Sequence, residues 1–115
     1  MRDSSLTSKE RLLHIEQAIS DILKFTKDET KDSFLAQPVL INATLFQFAV
    51  IGEAIKRIDN AILDRYDYPW YRVRGFRNFI LHEYHSIEYS VIWEAIVNDL
   101  PELERVIKQI LKEEF

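Results

Sequence analysis

The sequence predicts an all-α fold, an antiparallel bundle of four to five helices, on three observations. Only two Gly and three Pro occur in 115 residues, too few for the many tight turns of a sheet protein. Apolar residues recur at spacings of three and four through most of the chain, the period of a helix with one face turned inward. A 47% hydrophobic and 30% charged composition at this length suits a single domain, residues 1–115, around one core.

The elements follow in order. Thr7-Ser8-Lys9-Glu10 offers a capping box, with the Thr7 hydroxyl and the Glu10 carboxylate three residues apart. Leu12, Ile15, Ile19, Ile22 and Leu23 then form an apolar stripe, so a first helix is expected from Thr7 to Phe25 or Thr26. The polar stretch that follows reads as a connection with one short turn at Phe34 and Leu35. Pro38 suits the first turn of a second helix, which runs to Ile58 and is apolar on nearly every side. Such a helix must be buried at the centre of a bundle or against another subunit. Gly52 costs it about 1 kcal/mol relative to Ala, which points to close helix packing there. The neighbouring Glu53 is either a solvated residue or a partner for nearby arginines.

Residues 59–68 lose the pattern and read as a loop that Pro69 ends. A third helix follows, with Trp70, Val73, Ile80 and Leu81 as its inward residues. The chain turns through His85 and Ser86, and Ile87 opens a fourth helical stretch. At Asp99-Leu100-Pro101-Glu102 the sequence reads as a helix start inside a helix, Asp99 capping, with a kink or short break near Pro101. Leu103, Val106, Ile107, Ile110 and Leu111 carry the stripe to the C-terminus.

The chain has no cysteine, so neither a disulfide framework nor a thiolate metal site can form, which suits a cytoplasmic protein. The first ten residues lack the apolar core of a signal peptide. The apolar region 39–52 is interrupted by Asn42, Thr44 and Gln47 and is too short to span a bilayer. A net charge of -4 argues against general binding to nucleic acid. The arginines are nevertheless gathered: Arg65, Arg72, Arg74 and Arg77 lie together, so any polyanion contact must be local.

That gathering surrounds residues 70–84, W-Y-R-V-R-G-F-R-N-F-I-L-H-E-Y, which hold the candidate chemistry. A guanidinium can clamp a phosphate through paired hydrogen bonds, and an imidazole titrates near neutral pH. At 100° per residue Arg74, Asn78 and His82 share one stripe, and Arg77 and Tyr84 share a neighbouring one. Arg77 and His82 diverge by roughly 140°. They meet only if the helix ends or distorts between them, or if their partners lie across a subunit boundary. From spacing alone, the competing reading makes Arg77, Asn78 and His82 surface or ion-pair residues and Tyr84 a core residue. His14 reads as exposed, and His85 lies near the candidate site without a matching partner. No H-E-x-x-H or H-x-x-E-H pattern, carboxylate cluster, Gly-rich loop or Ser elbow points to a metal, a nucleotide loop or acyl transfer, and no cofactor is expected.

Residues 77–84, R-N-F-I-L-H-E-Y, match the R-x4-6-H motif of the HEPN superfamily in the R-N-x-x-x-H-x-Y form, and the chain resembles the HepT-like ribonuclease toxins. The similarity continues through Ile51-Gly52-Glu53-Ala54, Pro69-Trp70, the R-G-x-R-N pattern of residues 74–78, Val91-Ile92-Trp93-Glu94 and Asp99-Leu100-Pro101-Glu102-Leu103. These segments cover about the last two thirds of the chain in the right order. The resemblance implies a dimeric, metal-independent endoribonuclease and toxin of a type VII-like toxin–antitoxin system. In it the RNA 2'-hydroxyl attacks the adjacent phosphorus, with Arg77 and His82 catalytic and Asn78 and Arg74 supporting. It also implies an MNT-type nucleotidyltransferase antitoxin that transfers AMP to Tyr84. Tyr84 thus has three readings: core packing, substrate contact or regulatory acceptor. The alternative is a non-catalytic HEPN module that binds a nucleotidyltransferase or its substrate.

Overall fold

A computed structural model describes residues 7–115; residues 1–6, most of the stretch assessed for a signal peptide, lie outside it. The described residues are helical, with α1 at Ser8–Thr26, α2 at Lys31–Leu35, α3 at Pro38–Lys56, α4 at Asn60–Leu63 and α5 at Trp70–His82. A 3-10 turn at Tyr84–Ser86 leads to α6 at Tyr89–Glu94, which passes through a π-helical turn, Ala95–Asp99, into α7 at Leu100–Glu114. Four long helical runs therefore make the bundle, with α2 and α4 as single turns in the connections.

The first helix starts as its capping box predicts. The Glu10 amide donates to Thr7 Oγ1 at 3.1 Å and the Thr7 amide donates to Glu10 Oε1 at 3.2 Å. The Thr7 amide and hydroxyl, both donating to the carboxylate, hold the Glu10 carboxyl below its ordinary pKa. A second capping box, Thr30 with Ser33, opens α2, whose Phe34 is fully buried against the ring of Trp93, 5.2 Å between centroids.

The pairs of contacts fix the helix directions. The Asp59 amide, just past α3, donates to Ser8 at the start of α1, so these helices run antiparallel. Tyr84, after α5, meets Asn42 near the start of α3 while Gly52 packs on Arg77, so α3 and α5 are antiparallel as well. The C-terminus of α7 returns to the segment after α4, where Arg65 pairs with Glu114 at 2.9 Å and the Tyr66 hydroxyl donates to Glu113 and Glu114. Burial together with the two carboxylates pushes the Tyr66 hydroxyl pKa upward.

α3 lies between α1 and α5, with Ile41, Leu45, Phe48, Ile51 and Ile55 buried on its inner side. They meet Leu12, Ile15, Ile19 and Ile22 of α1 in a core to which α7 adds Leu103, Val106, Ile107 and Ile110. Each such side chain, fully buried, contributes about 1.5–3 kcal/mol. At 19 residues with mean hydropathy 1.5, α3 is long and apolar enough to cross a membrane, longer than the interrupted stretch marked in the sequence. Its packing between two helices accounts for that composition on one side only: Val39 is 84% and Phe46 66% exposed.

Two local expectations fail. Leu81 does not face inward; it is 52% exposed, and Trp70 and Ile80 are the buried residues of α5. Asp99 does not cap a new helix: it is itself helical, makes no side-chain cap hydrogen bond, and the run continues through it with the Leu100 amide bonded to the Ala95 carbonyl five residues back. The run continues unbroken through Pro101, which falls in the first turn after the π-helical segment, where a missing N–H is tolerated.

Candidate functional site

The site begins where α5 crosses α3. A Cβ on Gly52 would overlap Arg77 Cβ and stand 2.9 Å from Arg77 Cγ and 3.3 Å from the Val73 carbonyl oxygen. Glycine at 52 therefore lets the base of Arg77 rest on the α3 backbone. The adjacent Glu53 takes the other end of the side chain, with Arg77 Nη2 2.9 Å from Glu53 Oε1. Arg57 Nε donates to Glu53 Oε2 at 2.7 Å. The Arg57 hydrogen bond, then the charges of Arg57 and Arg77, hold the Glu53 carboxyl below its ordinary pKa against the effect of burial. Glu53 Oε1 is enclosed and accepts no hydrogen bond among the described residues, so the Arg77 charge compensates it. Of the two readings of Glu53, the arginine partner is the one observed.

Arg77 Nη1 also donates to Asn78 Oδ1 at 3.0 Å. Asn78 thus faces Arg77 and does not orient His82. Arg77 is consequently half-buried and held at both ends of its guanidinium, with 24% of its side chain exposed.

His82 has the opposite surroundings. It is the last residue of α5, exposed, and has no hydrogen bond or ion pair among the described residues. The helix neither ends nor distorts between positions 77 and 82, so the angular divergence stands and the two side chains do not meet within one chain. Asn78 is exposed on the same stripe, with Arg74 partly buried beside it.

The Tyr84 hydroxyl donates to Asn42 Oδ1 at 2.9 Å, and its ring stands edge-on to His85 at 5.7 Å. With 51% of it exposed, Tyr84 is not a core residue. Arg65 leaves the arginine group entirely, since its guanidinium serves Glu114 at the end of α7. Asn42 was missed as a site residue; its signal was a polar side chain interrupting an apolar helix. Tyr71, 70% exposed on the Arg74–Asn78 face, carried no comparable signal.

A family model described as "Ribonuclease HepT-like" matches residues 15–110. "Putative RNase TTE0752" of Caldanaerobacter subterraneus subsp. tengcongensis is 33% identical over 109 residues, covering 94% of this chain and 97% of the relative. "Putative RNase MJ0127" of Methanocaldococcus jannaschii is 34% identical, covering 86% of each chain. "Probable ribonuclease HepT" of Thermococcus cleftensis is 28% identical, covering 90% of this chain and 96% of that protein. No solved structure gives a significant match. With the helical bundle, the Arg77 brace and a family match over most of its length, the chain belongs to the ribonuclease HepT-like family of the HEPN superfamily.

Proposed function

We propose that the protein is a metal-independent endoribonuclease, the toxin of a type VII-like toxin–antitoxin pair, active as a homodimer in the cytoplasm. The observation that carries this reading is an exposed His82, its side chain without a partner among the described residues, on the same helix as an Arg77 fixed in place. The names of its relatives as ribonucleases support it.

The chemistry follows from the residues. The RNA 2'-oxygen attacks the adjacent phosphorus as the bond to the 5'-oxygen breaks, leaving a 2',3'-cyclic phosphate. One imidazole accepts the 2'-hydroxyl proton and another delivers a proton to the leaving 5'-oxygen. Arg77 stabilises the charge that builds on the phosphoryl oxygens, with Asn78 and Arg74 supporting the phosphate contact. A second copy of the chain supplies the second His82. Exposed Val39 and Phe46 on α3 and Leu81 on α5 give the pairing an apolar surface beside the site.

Tyr84 is the point of control. Tyr84 is half-exposed, and its hydroxyl, held by Asn42, accepts AMP from an MNT-type nucleotidyltransferase; the added phosphate places negative charge close to the arginines and excludes RNA.

A second reading, a non-catalytic HEPN module that holds a nucleotidyltransferase or its substrate, draws on the engagement of Arg77 by Glu53 and Asn78. The two separate on one assay. Purified protein with chelator present should cut RNA, spare DNA of the same sequence and leave cyclic phosphate ends. Cleavage undiminished by His82→Ala would remove His82 from the mechanism, and growth arrest abolished by Arg77→Ala would exclude the non-catalytic module.

A further inference from the structure

The two glycines of the chain differ in what explains them. Gly52 is required by the packing of Arg77, but a Cβ at Gly75 would meet nothing within 4 Å. No glycine has positive φ. Gly75 therefore costs α5 about 1 kcal/mol of helix propensity, and neither packing nor backbone conformation requires it. Its remaining use is the close approach of something outside the chain.

Gly75 lies at a cavity of ≈ 520 Å3 between α5, α3 and the π-helical turn, within the size range of small-molecule sites. Phe48, Tyr68, Phe76 and Phe79 supply aromatic walls. The rings of Phe48 and Phe76 pack edge to face at 5.1 Å, and those of Phe76 and Phe79 stack at 6.2 Å. Three charged side chains line it. Glu102 is neighboured by Arg105 at 3.8 Å, outside the cavity. Arg72 and Asp99 are exposed, and their side chains have no hydrogen bond or ion pair among the described residues. Asp99 makes no cap hydrogen bond, and Pro101 two residues on has no N–H for it to accept.

This balance suits neither a simple cation nor a simple anion. It suits a flat aromatic group with hydrogen-bond donors on its edge, carried on a phosphate: the ring against the phenylalanines, its donors toward Asp99, the phosphate toward Arg72. The location agrees. Gly75, Phe79 and His82, spaced by four and three, share one line along α5, and Gly75 and His82 are about 10 Å apart along the axis. The cavity therefore opens beside the proposed reaction centre, within reach of a neighbouring nucleotide.

We propose that this cavity binds one unpaired guanine of the RNA substrate, its N1–H and N2–H groups donating to Asp99, next to the nucleotide cleaved at His82. The site rests on the ribonuclease reading for its substrate and supplies that reading with a base preference. A base held there passes over Gly75, and any side chain at 75 obstructs it.

The test is binding of 2'-O-methyl oligouridines carrying a single guanine or a single adenine, which lack the nucleophile and stay intact. The wild type should prefer the guanine oligonucleotide by about tenfold or more, the range of one bidentate base contact. Asp99→Asn should abolish the preference, and Gly75→Ala should weaken binding of the guanine oligonucleotide while thermal unfolding shows a folded protein. Equal binding of the two oligonucleotides, no binding of either, or a preference untouched by both substitutions would overturn the site. Cleavage of the unmodified guanine RNA is scored separately. Cleavage indifferent to base and to Asp99→Asn leaves the ribonuclease standing without this site; absent cleavage with the preference intact leaves the site and removes the ribonuclease.

Discussion

Arg77 and His82 occupy one uninterrupted helix, yet the fold uses them differently. The side of α5 toward α3 is consumed by structure: Gly52 seats Arg77 and Glu53 neutralises it. His82, Gly75 and Tyr71 are themselves exposed, and a Cβ at Gly75 would meet nothing within 4 Å. An anion clamp gains from being fixed in advance, since a long side chain otherwise loses rotamer freedom on binding. A proton carrier has to reach substrate. Under the proposed mechanism, the two sides of the helix place each group where its task would be served.

The comparison can be broken by substitution on each side. The largest effect is expected from His82→Ala, which should lower RNA cleavage about 10²–10⁴-fold while leaving the thermal midpoint where it is; an equal loss of stability would show that His82 belongs to the fold after all. Next comes Gly52→Ala. Overlap with Arg77 should cost about 1–3 kcal/mol in denaturant unfolding, less whatever helix propensity returns. Gly75→Ala should have the opposite sign, raising stability by about 1 kcal/mol, because open space receives the methyl group. Gly52 on α3 and Gly75 on α5 responding alike would refute the distinction drawn between them.

Smaller effects sharpen the clamp side. Glu53→Gln should reduce stability by less than about 1 kcal/mol, as befits a partly exposed pair, yet weaken cleavage by freeing Arg77. The folded-state carboxyls of Glu10, Glu53 and Glu114 all lie below their ordinary value of 4.5. Their contribution is therefore complete above that value and is lost as pH falls through the depressed folded values. A thermal midpoint followed downward from neutral pH should decline there, and less steeply at high salt, which screens exposed pairs.

Much of this was readable beforehand. The capping box at Thr7, the end of α1 at Thr26, Pro38 as a helix start and the tight packing at Gly52 follow from local rules that tertiary structure did not override. Leu81 and Asp99 were misassigned for physical reasons. An apolar residue at the end of a helix can be left outside the core, as Leu81 is, and a π turn shifts the register on which a capping argument depends. The partnership of Tyr84 with Asn42 spans 42 residues and has no local signature. Spacing did give the decisive geometric fact about the site, that Arg77 and His82 diverge, and the uninterrupted run of α5 from Trp70 to His82 agrees with it.

That divergence makes the second subunit the central claim. Wild-type and His82→Ala chains can be mixed in varying ratio at constant total concentration, allowed to exchange subunits, and assayed for RNA cleavage. If two copies of His82 divide the acid and base roles, only all-wild-type dimers cut, and the rate falls with the square of the wild-type fraction. A rate that falls in direct proportion to that fraction would mean that each chain cleaves alone, and would contradict the account.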